Sequence, residues 1–185
     1  MLVQGATPLL VVTIATMTQA REKRFLQSYA DQSVDQLIAM EADYRIDSLL
    51  GAFEKAINRK KAKKKRLSQV EVDILAIEAM EREVNNGGYH QFFLNPSKEY
   101  AAGLPASLDR IGCPVAAKIA SDSLAYLKVS GEVTVAKIDL SLQQLGEKAI
   151  DDLYEMDQRY FQNREPIGDK LFAYIKANRT EIALK

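Results

Sequence analysis

Tryptophan is absent from this chain, histidine and cysteine occur once each, and neither charge sign prevails. The lone cysteine, Cys113, excludes an intramolecular disulfide and any cysteine-cluster metal site. It fits a reducing compartment, so a cytoplasmic location is expected. The lone histidine, His90, excludes a multi-histidine metal site within one monomer. The paired Glu-x-x-His motifs of a di-metal helical bundle are missing as well. No metal and no cofactor are expected on these grounds. The apolar run Pro8-Leu-Leu-Val-Val-Thr-Ile14 is too short to span a bilayer, and no Lys or Arg precedes it as in a signal peptide. No membrane partner is expected. The 25 Lys/Arg cancel the 25 Asp/Glu, which weighs against a chain-wide negative field of the kind that imitates DNA. The charge is unevenly placed, however. Residues 1–70 hold 12 basic and 7 acidic side chains, a balance of +5, and residues 71–185 hold 13 and 18, a balance of −5.

What is present is a soluble-type composition, 47% hydrophobic and 27% charged, in a length that suits one domain with its own core. Residues 1–17 read as an N-terminal tail with two open readings: natural translation starting at Met17, or a tail that docks on the fold or on a neighbour. Residues 18–185 read as a single compact all-α domain of about seven or eight helices. The first is expected over 18–30, with Phe25, Leu26 and Tyr29 on one side. Ser33-Val-Asp-Gln36 and Ser68-Gln-Val-Glu71 are capping boxes, in which the serine accepts from a free backbone N–H and the third residue reaches back. They open helices expected over 34–59 and 69–86, and Gly51 within the first marks a place for close helix packing. Gly103-Leu-Pro105 and Gly112-Cys-Pro114 each stop and restart the chain, giving helices over 105–111 and 114–128. Val133-Thr-Val135 reads as loop. Asp139 and Ser141 offer caps for a helix over 140–163, and Pro166 opens the last, over 166–178.

The chain is organised around Glu83-Val-Asn-Asn-Gly-Gly-Tyr-His-Gln-Phe-Phe-Leu-Asn95. Asn86 meets Gly87 and Gly88, which reach left-handed backbone angles without a Cβ clash and so end a helix abruptly. Tyr89, Phe92 and Phe93 follow on one side of a short helical turn and need an apolar place to go. Asn95 before Pro96 is a good cap for the next segment. The reading is a tight corner that inserts an aromatic plug into the core. Glu83, the Asn-Gly-Gly triplet, the aromatics, Gln91 and Asn95 together resemble the signature of a bacterial family of unknown function named after a DNA-mimic protein. The similarity continues through Leu108-Asp-Arg-Ile-Gly112 and Ala116, more weakly through Asp151-Asp-Leu-Tyr154 and the final helix, and spans roughly residues 70–180. The resemblance implies an all-helical fold. It also implies a member that offers surface carboxylates in place of DNA phosphates to a DNA-binding regulator, and a homodimer. The signature itself encodes no such surface, so no residue of that activity carries over.

Three function classes follow. The first is a non-catalytic protein-interaction or regulatory module that meets a basic partner, such as a DNA-binding regulator or a toxin. Its candidate residues are the carboxylates Glu147, Asp151, Asp152, Glu155 and Asp157, acting by electrostatic steering together with apolar contacts. The second is an enzyme or small-molecule binder with a polar pocket at Asn86, Tyr89, His90 and Gln91; no catalytic triad or phosphate loop accompanies those residues. The third is anion contact through Arg59, Lys60, Lys61, Lys63, Lys64, Lys65 and Arg66. That run lacks interleaved aromatics for base stacking, so direct nucleic-acid binding is disfavoured and a solvated linker is the plainer reading. Glu71, Glu78 and Glu81 read as a solvated helix face, and Cys113 as a small packed thiol beside a helix start.

Overall fold

The computed structural model describes residues 22–184. Among them lie eight α-helices and no strand: α1 (Val34–Ala39), α2 (Ile46–Ala62), α3 (Gln69–Leu94), α4 (Leu104–Arg110), α5 (Pro114–Tyr126), α6 (Val135–Leu145), α7 (Lys148–Gln162) and α8 (Ile167–Ala177). The fold is all-α and compact, as the pattern predicts. The expectations for residues 1–17, and for 18–21 of the first helix, lie outside the described residues.

Helix α3 is the axis. Ile74, Leu75, Ala76, Ile77, Met80 and Val84 are buried, and between Val70 and Val84 only Arg82 is exposed. A helix buried over so much of its surface needs neighbours on most sides. It packs against α2, α4, α6, α7 and the 3-10 turn Pro96–Tyr100; α2 also packs on α8, and α5 on both α4 and α7. Both capping boxes form as the sequence predicts. Ser33 accepts from the Gln36 N–H and Ser68 from the Glu71 N–H, while the Gln36 and Glu71 side chains accept from the serine N–H groups.

Several boundaries differ from the sequence reading, each for a physical reason. Residues 22–30 are not helical. Arg24 forms a parallel bridge to Tyr44, donating its N–H to Asp43 and accepting from the Arg45 N–H, and its guanidinium lies over the Tyr44 ring. The same bridge engages Asp43 and Arg45, and Arg45 is extended (ψ 138°), so the single helix expected over 34–59 becomes α1, a 3-10 turn at Met40–Ala42, and α2. Gly51 meets nothing within 4 Å of where a Cβ would stand, so it serves no close packing. Val135 belongs to a helix rather than a loop: Thr134 caps α6 by accepting from the Lys137 N–H, in place of Asp139 or Ser141. The helix expected over 140–163 breaks at Gly146, whose φ of 57° an L side chain would resist.

Candidate functional site: the glycine kink and the acidic helix

The helical geometry of α3 stops at the glycine pair, as the sequence reading has it, and a second helical stretch runs on from the kink to Leu94. Gly87 (φ −165°, ψ 26°) and Gly88 (φ 73°, ψ −176°) interrupt the helical dihedrals. A Cβ on Gly88 would overlap the Asp157 carboxylate of α7, and one on Gly87 would overlap the Gln91 side chain. The positive φ and the carboxylate both demand glycine at position 88. The kink frees backbone donors of the restarted turn, and Asp157 takes one of them: the Tyr89 N–H donates to its Oδ1 at 2.7 Å. Burial raises the Asp157 pKa, against the lowering effect of that N–H and of His90.

Glu83 locks the kink from the other side. It accepts from Gln91 Nε2 at 3.0 Å, Asn95 Nδ2 at 2.6 Å and Ser97 Oγ at 2.9 Å. Burial opposes its ionisation, but these three bonds and Arg82 outweigh it and hold the carboxyl below its ordinary range. Asn95 thus spends its side chain on Glu83 rather than on capping the turn that follows. Tyr89, Phe92 and Phe93 are fully buried, with Tyr89 edge-on to Phe92 and to Tyr160, ring centroids 6.4 and 6.3 Å apart. The plug and the polar clamp account for every residue of the signature except Asn86, which is exposed. At the corner Gln91 turns to Glu83, while His90 lines a groove with residues of α6 and α7. The polar pocket expected at Asn86, Tyr89, His90 and Gln91 does not assemble.

The kink lies inside the segment that a family model matches. The family model described as DMP19-like protein matches residues 65–178, from just before α3 to just past α8. The chain belongs to the DMP19-like family. No curated protein and no solved structure matches it. The DMP19-like segment contains the whole clamp and α3 through α8, whereas α1 and α2 precede it.

The carboxylates of α7 divide. Asp157 is consumed by the kink. Asp152 accepts from Lys148 and the Tyr126 hydroxyl, and those bonds hold it below its ordinary range. Glu147, Asp151 and Glu155 are exposed and form no ion pair among the described residues. Spaced at i, i+4 and i+8, they make one stripe along the helix.

The basic run divides too. Lys60 is withdrawn from any outside anion: its side chain is 10% exposed and pairs at 2.7 Å with the fully buried Glu71, which also accepts from the Ala183 N–H. Arg59 pairs with Asp31 and Lys61 with Glu99. Lys63, Lys64, Lys65 and Arg66 are exposed beyond the end of α2.

The carboxylates of α3 overturn the solvated-face reading. Glu71 is buried, and Glu78 and Glu81 are mostly so. Asp73, which the sequence reading passed over, is fully buried and accepts from Gln69, Ser107, Arg110 and Tyr174. Glu78 and Glu81 line a cavity of about 340 Å³ with Asp47 and Asp169. Burial first, then the charges of Glu54, Glu81 and Asp47, push the Glu78 carboxyl up to about 8. Burial also raises Glu81, though the Tyr160 hydroxyl donates to it. Cys113 is buried, as expected, and burial with the nearby Glu165 raises its thiol to about 11. That carboxylate, and not the thiol, caps α5, accepting from the Val115 and Ala116 N–H groups.

Proposed function

We propose that the chain is a non-catalytic interaction module that uses the outer stripe of α7 to meet a basic protein partner. The observation that carries this reading is the set Glu147, Asp151 and Glu155, three exposed carboxylates in line with no cation of the described residues paired to them. Such a stripe raises association rates with a positive surface and weakens in salt. The family resemblance to a DNA mimic supports a DNA-binding regulator as the kind of partner, and a toxin with a basic face fits the same chemistry. Among the described residues no helix is long and apolar enough to cross a membrane. The partner is sought in the cytoplasm, where a single reduced thiol is at home.

The test is an affinity pull-down from the host with the wild type and with Glu147→Gln/Asp151→Asn/Glu155→Gln. The triple variant is expected to lose the basic partner, and the loss to be mimicked by high salt. Equal recovery by both forms removes the stripe from the account.

A further inference from the structure

Beside the carboxylate stripe lies apolar surface that steering alone does not use. The end of α3, α6 and the start of α7 enclose an open groove of about 580 Å³, with Leu94, Leu142 and Ile150 as its apolar lining, His90 at one wall and Asp139 and Glu147 among its polar groups. Leu94 is 51% exposed and Ile150 50%; Tyr154, one turn further along α7, is 59% exposed. At about 100° per residue, Ile150 and Tyr154 fall within roughly 40° of each other around the α7 axis, and Glu147, Asp151 and Glu155 fill the adjoining sector of about 80°. Helix α7 therefore shows solvent an apolar strip and an acidic strip side by side. Exposed apolar patches rimmed by polar groups mark interaction sites. The nearby cations are already taken, Lys98 by Asp139 and the Leu94 carbonyl and Lys148 by Asp152. The unbalanced charge at the groove edge is negative.

We propose that this groove receives one amphipathic helix of the partner, with aliphatic side chains at i, i+3 or i+4, and i+7 in the groove and Lys or Arg along the flank facing α7. The inference rests on the acidic-stripe reading and names the element by which that partner docks. A helix suits a trough between helices, where its apolar ridge fills the gap. The charge decides among occupants. Nucleic acid and anionic lipid would each bring like charge to Glu147, Asp151 and Glu155. A second copy in an isologous pair sets the same patch against itself, acid against acid. The exposed basic stretch Lys63–Arg66 of another copy lacks the apolar residues to fill the groove.

The experiment is fluorescence anisotropy on the full chain with a labelled helical peptide of about 18 residues, carrying leucines at the stated spacing and lysines on one flank. Two comparators replace the lysines with glutamate or the leucines with serine. The basic amphipathic peptide is expected to bind at least about tenfold more tightly than either comparator, and Leu94→Ser/Ile150→Ser to weaken it at least about tenfold. Both positions are half exposed, so the double variant keeps its helical circular dichroism; if it does not, Ile150→Ser alone is read the same way. Equal binding of all three peptides, or no binding of the basic one, overturns the proposal. So does a wild type that sediments as a dimer and that Ile150→Ser splits, since the occupant is then a second copy. The groove and the stripe fail separately. Unchanged binding by Leu94→Ser/Ile150→Ser removes the groove alone, and unchanged binding by Glu147→Gln/Asp151→Asn/Glu155→Gln removes the acidic stripe.

Discussion

Glu83 and Glu78 stand five residues apart on one helix and behave as opposites. Glu83 has three neutral donors within 3.0 Å and an arginine beside it, and it is held ionised. Glu78 forms no hydrogen bond or ion pair among the described residues, faces Asp47 and Glu54 of α2, Glu81 of its own helix and Asp169 across the cavity, and is offset by the charge of Arg82, itself paired with Glu54. Burial penalises the charge of both. The difference lies in what the fold supplies around each, and it sets the sign of each group's link to pH.

The largest effect is expected from emptying the Glu83 site. Glu83→Ala leaves the Gln91, Asn95 and Ser97 donors unmet beside the kink and removes the tie across it. Unsatisfied buried groups of this kind cost about 1–3 kcal/mol each, partly recovered by water, so a total loss of about 3 kcal/mol is expected in urea denaturation at pH 7. Because the folded carboxyl is held below its ordinary range, its contribution is present above the unfolded value and is lost as the pH falls through the folded one. The wild type and Glu83→Ala should therefore converge in acid. A variant as stable as wild type at pH 7 would mean the clamp is ornamental.

Glu78 sharpens the contrast with the opposite sign. Between its ordinary value of 4.5 and about 8, the folded chain keeps a proton that the unfolded chain gives up. Stability from this group is full below the unfolded value and is lost as the pH rises through about 8. Glu78→Gln mimics the protonated form at every pH. It should match the wild type near pH 4.5 and exceed it by about 2 kcal/mol at pH 9, a discounted figure that allows for solvent at the cavity mouth. The check is the thermal midpoint of both proteins across that range. Parallel curves would show that Glu78 ionises freely and that the cavity is wetter than its lining suggests.

The same two residues show what a sequence discloses. Glu83 heads a local signature, and the three hydrogen-bond donors it meets all lie within fourteen positions, so the motif could be read as a unit. The capping boxes at Ser33 and Ser68 are local as well, and both form. Asp157 is 68 residues from the Tyr89 N–H it caps, and Lys60 reaches Glu71 across a loop; neither pairing leaves a mark on spacing. Helical periodicity puts Glu78 and Glu81 on a shared face but gives no means of knowing that α2, α4, α6 and α7 cover most of α3. The Arg24–Tyr44 bridge is equally non-local, which is why a helix was expected over 18–30 and a single one over 34–59. The break at Gly146 was legible, since a glycine after Leu145 at the end of an apolar stripe is an ordinary helix stop.

The smallest effect belongs to the outer stripe of α7, and its smallness is informative. Glu83 and Glu78 are coupled to folding because each is buried among fixed neighbours; Glu147, Asp151 and Glu155 are exposed and hold nothing in place. Surface substitutions of this kind change stability by about 0.5 kcal/mol or less. Glu147→Gln/Asp151→Asn/Glu155→Gln should accordingly melt within a degree or two of the wild type, measured by circular dichroism at pH 7. Repulsion between carboxylates at i, i+4 and i+8 favours the variant, while loss of the charges of Glu147 and Asp151 at the N-terminal end of α7 opposes it, so the two effects are expected to offset. Charges kept in line with no net benefit to the fold are the ones free to serve a partner. A clear drop in the melting point would instead tie the stripe to the helix itself and take away its independence as a binding face.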